Sequence, residues 1–118
     1  MRVKTVVRIF YLDDETELCD IFLQMLSGTG HQLAAFSVVE EFVKQCKAQQ
    51  PDLVFIDFRL PTTTGDRVAS MIPSDISKVL MTGELSVECD HLFAQVIAKP
   101  FKFQQLVELV NSYSDRSN

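Results

Sequence analysis

Short apolar runs alternate with longer amphipathic stretches about five times along this chain, and that alternation constrains its fold more than any other feature. Residues 6–12 (Val6-Val7-Arg8-Ile9-Phe10-Tyr11-Leu12) are β-branched and aromatic, too short for an ordinary helix, and stop at two aspartates. They read as a buried strand. Leu18, Ile21, Phe22, Met25 and Leu26 then recur at the spacing of one helix face, with Asp13 or Asp14 as the expected cap and Ser27-Gly28-Thr29-Gly30 as the stop. Residues 31–36 form a second expected strand. Ser37 and Glu40 have the spacing of a capping box, ahead of a stripe of Val39, Phe42, Val43 and Cys46.

Pro51 interrupts the chain, and Leu53-Val54-Phe55-Ile56 runs into Asp57. A loop with Pro61, three threonines and Gly65 leads to a short helix expected around residues 66–71. Residues 78–81 and 95–98 read as further strands, ending at Thr82-Gly83 and Lys99-Pro100. The last helix is expected to bury Phe103, Leu106, Val107 and Val110, with Tyr113 a turn further on. Residues 84–93 fit a helix only loosely. The pattern predicts a parallel sheet with helices on both faces, a single three-layer α/β domain over residues 1–113 and a polar tail or linker over 114–118.

Composition narrows the function. A chain of 118 residues has room for one core, and 47% hydrophobic with 23% charged residues suits a soluble globular domain. No apolar run reaches the ~20 residues that span a bilayer. Arg8 interrupts the first apolar stretch, which argues against a signal peptide and makes a cytoplasmic location the expectation. A net charge of −5 argues against direct nucleic-acid binding. Cys19, Cys46 and Cys89 form no C-x-x-C pair, so neither a disulfide framework nor a zinc site is expected.

In an open parallel sheet the ligand site lies beyond the carboxyl ends of the strands. Those ends carry Asp13-Asp14, Asp57, Thr82 and Lys99. Taken singly, each is an ordinary cap or a solvated charge. Taken together, three carboxylates, a hydroxyl and an ammonium converge on one edge. Crowded carboxylates repel, and a divalent cation relieves the repulsion. Mg²⁺ suits one or two carboxylates together with phosphate oxygens, and an aspartate can accept a phosphoryl group covalently.

With these residues in place the chain resembles the response-regulator receiver family over nearly its whole length. The resemblance rests on Leu12-Asp13-Asp14-Glu15, Ile56-Asp57-Phe58-Arg59-Leu60-Pro61, Gly65, Met81-Thr82-Gly83 and Lys99-Pro100-Phe101. It implies a flavodoxin-like (βα)5 fold with strand order 2-1-3-4-5. It implies Asp57 as phosphoacceptor, with Mg²⁺ bound by Asp14, Asp57 and the main-chain carbonyl of Arg59, and by Asp13 largely through water. Thr82 and Lys99 would hold the phosphoryl group, and the Lys99-Pro100 bond would be cis. The implied donor is a sensor histidine kinase or histidine phosphotransfer protein. The implied protein catalyses only its own phosphorylation and dephosphorylation. These motifs specify neither the downstream output domain or protein nor the oligomeric state, and a homodimer stays open.

Some features depart from the family pattern. Val96 stands where receivers usually carry a switching Tyr or Phe, so an aromatic rotamer switch is not expected and residues 84–93 become the expected moving element. The spans from Asp57 to Thr82 and from Thr82 to Lys99 are short by at least one helical turn of ~3.6 residues, which implies shortened third and fourth helices. An Arg59–Glu84 pair is expected at the mouth of the pocket. A haloacid-dehalogenase-type phosphatase is disfavoured, because it needs a second Asp where Arg59 stands. An unphosphorylated pseudo-receiver acting as a binding module is the alternative reading.

Overall fold

A computed structural model of the chain describes residues 6–83 and 93–116, with the backbone alone for 114–116. Five parallel strands lie in the order β2-β1-β3-β4-β5, and helices flank the sheet: β1 Arg8–Leu12, α1 Thr16–Leu26, β2 Gln32–Phe36, α2 Val39–Gln49, β3 Leu53–Asp57, α3 Gly65–Ala69, β4 Ser77–Thr82, β5 Gln95–Ala98 and α4 Phe103–Arg116. This is the flavodoxin-like order that the motifs implied. Among the described residues no helix is long and apolar enough to cross a membrane.

The strands read as continuous apolar runs because both faces of the sheet are covered. On one face Ile9, Tyr11, Phe55 and Met81 meet Phe22 and Leu26 of α1 and Leu106 and Val110 of α4. On the other, Phe10, Leu12, Val54 and Ile56 meet Phe42 and Cys46 of α2 and Val68 and Ala69 of α3. The period of two within each strand sorts alternate residues between two separate cores.

The helices correct several expectations. In α1 the buried residues are Cys19, Phe22 and Leu26, whereas Ile21 is exposed and Leu18 and Met25 are only half-buried. The face toward the sheet and α4 is thus rotated from the one the apolar spacing suggested. Neither aspartate caps α1: Glu15 is the N-cap, and Asp13 Oδ1 instead accepts from the Glu15 amide just before the helix. The Ser37–Glu40 capping box does not form, because α2 starts later, behind Val38 at its N-cap. Phe103 is 52% exposed while Leu106 and Val110 are buried, so the buried stripe of α4 begins one turn later than expected. That helix also continues to Arg116, into the stretch assigned to a polar tail.

The third helix, α3, is a five-residue segment, as short as the spacing between motifs implied. Residues 84–92, and with them the expected fourth helix, Glu84 and Cys89, lie outside the described residues. Lys78, expected only as the start of a strand, is buried, and its ammonium donates to the carbonyls of Pro73 and Ile76 at 3.0 and 2.9 Å. A buried ammonium needs such acceptors, and here they close the α3–β4 connection.

Candidate phosphoacceptor site

Register brings the site together. Leu12 is paired with Ile56, so the next residues, Asp13 and Asp57, leave adjacent strands side by side. Asp57 pairs with Met81, and Thr82 pairs with Ala98. Past the strands, the Phe58 amide donates to the Met81 carbonyl (2.8 Å) and the Lys99 amide to the Thr82 carbonyl (2.8 Å). These bonds carry the ladder one step further and fix where Lys99 departs. The Lys99-Pro100 bond is cis, as the resemblance implied.

Gly65 closes the site from below. Its amide donates to the Phe58 carbonyl at 2.7 Å, and a β-carbon at this position would stand 2.5 Å from the Asp57 carbonyl oxygen and 3.0 Å from Leu80. Only a residue without a side chain lets α3 begin this near the backbone of Asp57.

The carboxylates of Asp13, Asp14 and Asp57 form one group, with an oxygen of each within 4.8 Å of the others. Asp13 is fully buried, Asp57 and Thr82 nearly so, and Asp14 is exposed. Lys99 joins the two buried acids: its Nζ donates to Asp13 Oδ2 at 3.0 Å and to Asp57 Oδ1 at 3.2 Å. Above them opens a pocket of about 440 Å³, lined by Asp14, Leu18, Asp57, Arg59, Thr82 and Lys99 among others. Every residue singled out from the strand ends therefore meets here, with Asp13 as the floor behind the pocket wall.

The electrostatics are those of an unbalanced cluster. Burial, then the charge of Asp13, pushes the Asp57 carboxyl from 3.8 up to about 6, against the pull of Lys99. Burial draws the Lys99 ammonium down, but its hydrogen bond to Asp13 and the charges of Asp13 and Asp57 outweigh this and leave it raised. One lysine thus serves two buried acids beside a third, exposed one. The set suits a hard divalent cation, which takes carboxylate oxygens from an open site.

Tyr11 also belongs to the site, although the apolar run of its strand does not single it out: its hydroxyl donates to Asp13 Oδ2 at 2.9 Å. The signal was available: residues i and i+2 of a strand share a face, which puts Tyr11 beside Asp13. Arg59 is exposed at the rim, its guanidinium 5.9 Å from the Phe58 ring centre, and its expected partner Glu84 lies outside the described residues. Val96 is 48% exposed on β5.

The sequence matches the family of the response regulator receiver domain over residues 9–111. The chain belongs to that family. Among solved structures, the CheY-like response regulator receiver domain protein of Methanospirillum hungatei JF-1 is similar at 22% identity and a TM-score of 0.83, covering 95% of this chain and 96% of that one. A CheY-like receiver domain from Methylobacillus flagellatus matches at 20% identity and a TM-score of 0.82, over 92% and 99% of the two chains. The response regulator protein TrrA of Thermotoga maritima, in complex with Mg²⁺ and BeF, matches at 26% identity and a TM-score of 0.78, over 92% and 99%.

Proposed function

We propose that this receiver domain accepts a phosphoryl group on Asp57 from a phosphohistidine of a sensor histidine kinase or histidine phosphotransfer protein. The observation that carries this reading is the Lys99 bridge between two buried aspartates at the foot of an open pocket. In the transfer, the bond from phosphorus to the imidazole nitrogen breaks as one to an Asp57 carboxylate oxygen forms, and the electron pair leaves with the imidazole. The transition state is loose, so the site contributes mainly position and charge neutralisation.

Asp14, Asp57 and the main-chain carbonyl of Arg59 would hold Mg²⁺, with Asp13 behind them acting through water. When bound, the ion neutralises the acidic cluster and the phosphoryl oxygens. Asp13 keeps Lys99 charged and aimed. Lys99 neutralises the incoming group, and the Thr82 hydroxyl, at the end of β4, donates to it. The Mg²⁺–BeF complex of TrrA supports the same chemistry for this chain. Phosphorylation would then bias a pre-existing conformational equilibrium.

Exposure to acetyl phosphate and Mg²⁺, followed by mass spectrometry, tests the reading. A single adduct mapped to Asp57 and absent from Asp57→Asn is expected. An adduct elsewhere would overturn the residue assignment, and no adduct at all would favour a receiver that works unphosphorylated as a binding module.

A further inference from the structure

We infer that Tyr11 is a positioning residue of this site: its hydroxyl holds Asp13 so that Lys99 can leave that carboxylate for the phosphoryl group. The inference rests on the phosphoacceptor reading of Asp57. Tyr11 is fully buried near the end of β1, two residues before the equally buried Asp13. Asp13 Oδ2 accepts from the Tyr11 hydroxyl at 2.9 Å and from Lys99 Nζ at 3.0 Å, while Oδ1 accepts from the Glu15 amide at 3.0 Å. An ionised carboxylate only accepts, and each of its oxygens has about two lone-pair sites, so Tyr11 and Lys99 between them fill Oδ2.

The tyrosine ring has little freedom. It stacks on Phe22 with centroids 4.3 Å apart and meets Phe101 edge-on at 6.1 Å. Its hydroxyl is thus a fixed donor, whereas Lys99 reaches Asp13 on a flexible stem and already spans to Asp57 Oδ1. A phosphoryl group on Asp57 adds negative charge on that side and draws the ammonium over. Asp13 Oδ2 then loses one of its two donors, a costly change for a buried oxygen unless the other donor stays. Tyr11 is that donor. Without it Lys99 would be, among the described residues, the sole donor to Oδ2 and would be held back on Asp13.

A tyrosine that merely fills its place in the core would matter equally in every state of the site. The inferred role makes it matter most where Lys99 has moved. Calorimetric titration of the full chain separates the two, using wild type and Tyr11→Phe, which keeps the ring. Mg²⁺ is titrated first, and then beryllofluoride, a phosphoryl mimic, at saturating Mg²⁺. Beryllofluoride affinity should fall roughly tenfold in Tyr11→Phe, the size of one charge-assisted hydrogen bond, with Mg²⁺ affinity changed less than about threefold. Equal losses for both ligands, or no loss for beryllofluoride, would overturn the inference. If wild type itself fails to bind beryllofluoride, the phosphoacceptor reading fails first.

A second measurement needs no variant. Of the two tyrosines in the chain, the ¹³Cζ resonance of Tyr11 should move further with beryllofluoride and Mg²⁺ than with Mg²⁺ alone, as its hydrogen bond to Asp13 takes over from Lys99. A resonance that is the same in both states refutes the role even if Tyr11→Phe does not fold.

Discussion

At Asp57 the native fold holds a carboxyl in surroundings that disfavour its charge, chiefly through burial and the neighbouring Asp13, and Lys99 offsets only part of this. With its value raised from 3.8 to about 6, native Asp57 keeps a proton that the unfolded chain has already released. The side chain therefore costs nothing at low pH. Its cost grows as pH climbs through that window and reaches on the order of 3 kcal/mol above it. Asp57→Asn should accordingly be more stable than the metal-free wild type at pH 7, by up to ~3 kcal/mol in urea unfolding, with the gap closing toward pH 4. A gap independent of pH would show that the mutation acts through packing instead. Cys19 and Cys46 behave differently. Burial pushes their thiols up to about 11 and about 12, so both stay protonated and unreactive at neutral pH.

Among the elements, α3 and its leading glycine show how closely the helical layer approaches the chemistry. Five residues suffice because Val68 and Ala69 are buried against β3 and β4, and because Gly65 admits the carbonyl of Asp57 where a side chain would stand. Gly65→Ala should lose about 1–3 kcal/mol through overpacking, despite alanine's better helix propensity. It should also slow phosphorylation by acetyl phosphate, since the displaced backbone is that of the proposed acceptor. Thermal melts and adduct formation rates check the two effects, and unchanged values in both would mean that the helix shifts aside freely. The α3–β4 connection depends on Lys78 in the same way. Lys78→Met removes the donor that two carbonyls share, and a loss of ~1–3 kcal/mol is expected in urea unfolding. Equal stability would show that water reaches those carbonyls.

For the molecule as a whole, a cation that binds only the folded site adds stability by mass action. At a hundred times its dissociation constant Mg²⁺ should contribute about 2.7 kcal/mol, a rise of roughly 10 °C or more in Tm for a domain of this size. Asp14→Ala should abolish most of that rise while leaving the metal-free Tm near wild type, because Asp14 is exposed. A rise that survives the substitution would place the ion elsewhere. Much of this molecule was legible in its sequence for a local reason. Strand period, chain breaks and the residue that ends each strand are properties of neighbouring residues, so the alternation gave the layers, and the strand ends gave Asp13, Asp14, Asp57, Thr82 and Lys99. Resemblance to receivers supplied the strand order. What local pattern could not set was orientation between elements. The face of α1 that turns inward is Cys19, Phe22 and Leu26, because β1 and α4 decide where that helix rests. The expected caps gave way to N-cap residues chosen by where the packed helices begin. The bonds that define the site, from Lys99 to Asp13 and to Asp57, join residues 86 and 42 positions apart. Those contacts exist only once the register of β1, β3, β4 and β5 has placed their ends together, and register is fixed by the cores on both faces of the sheet.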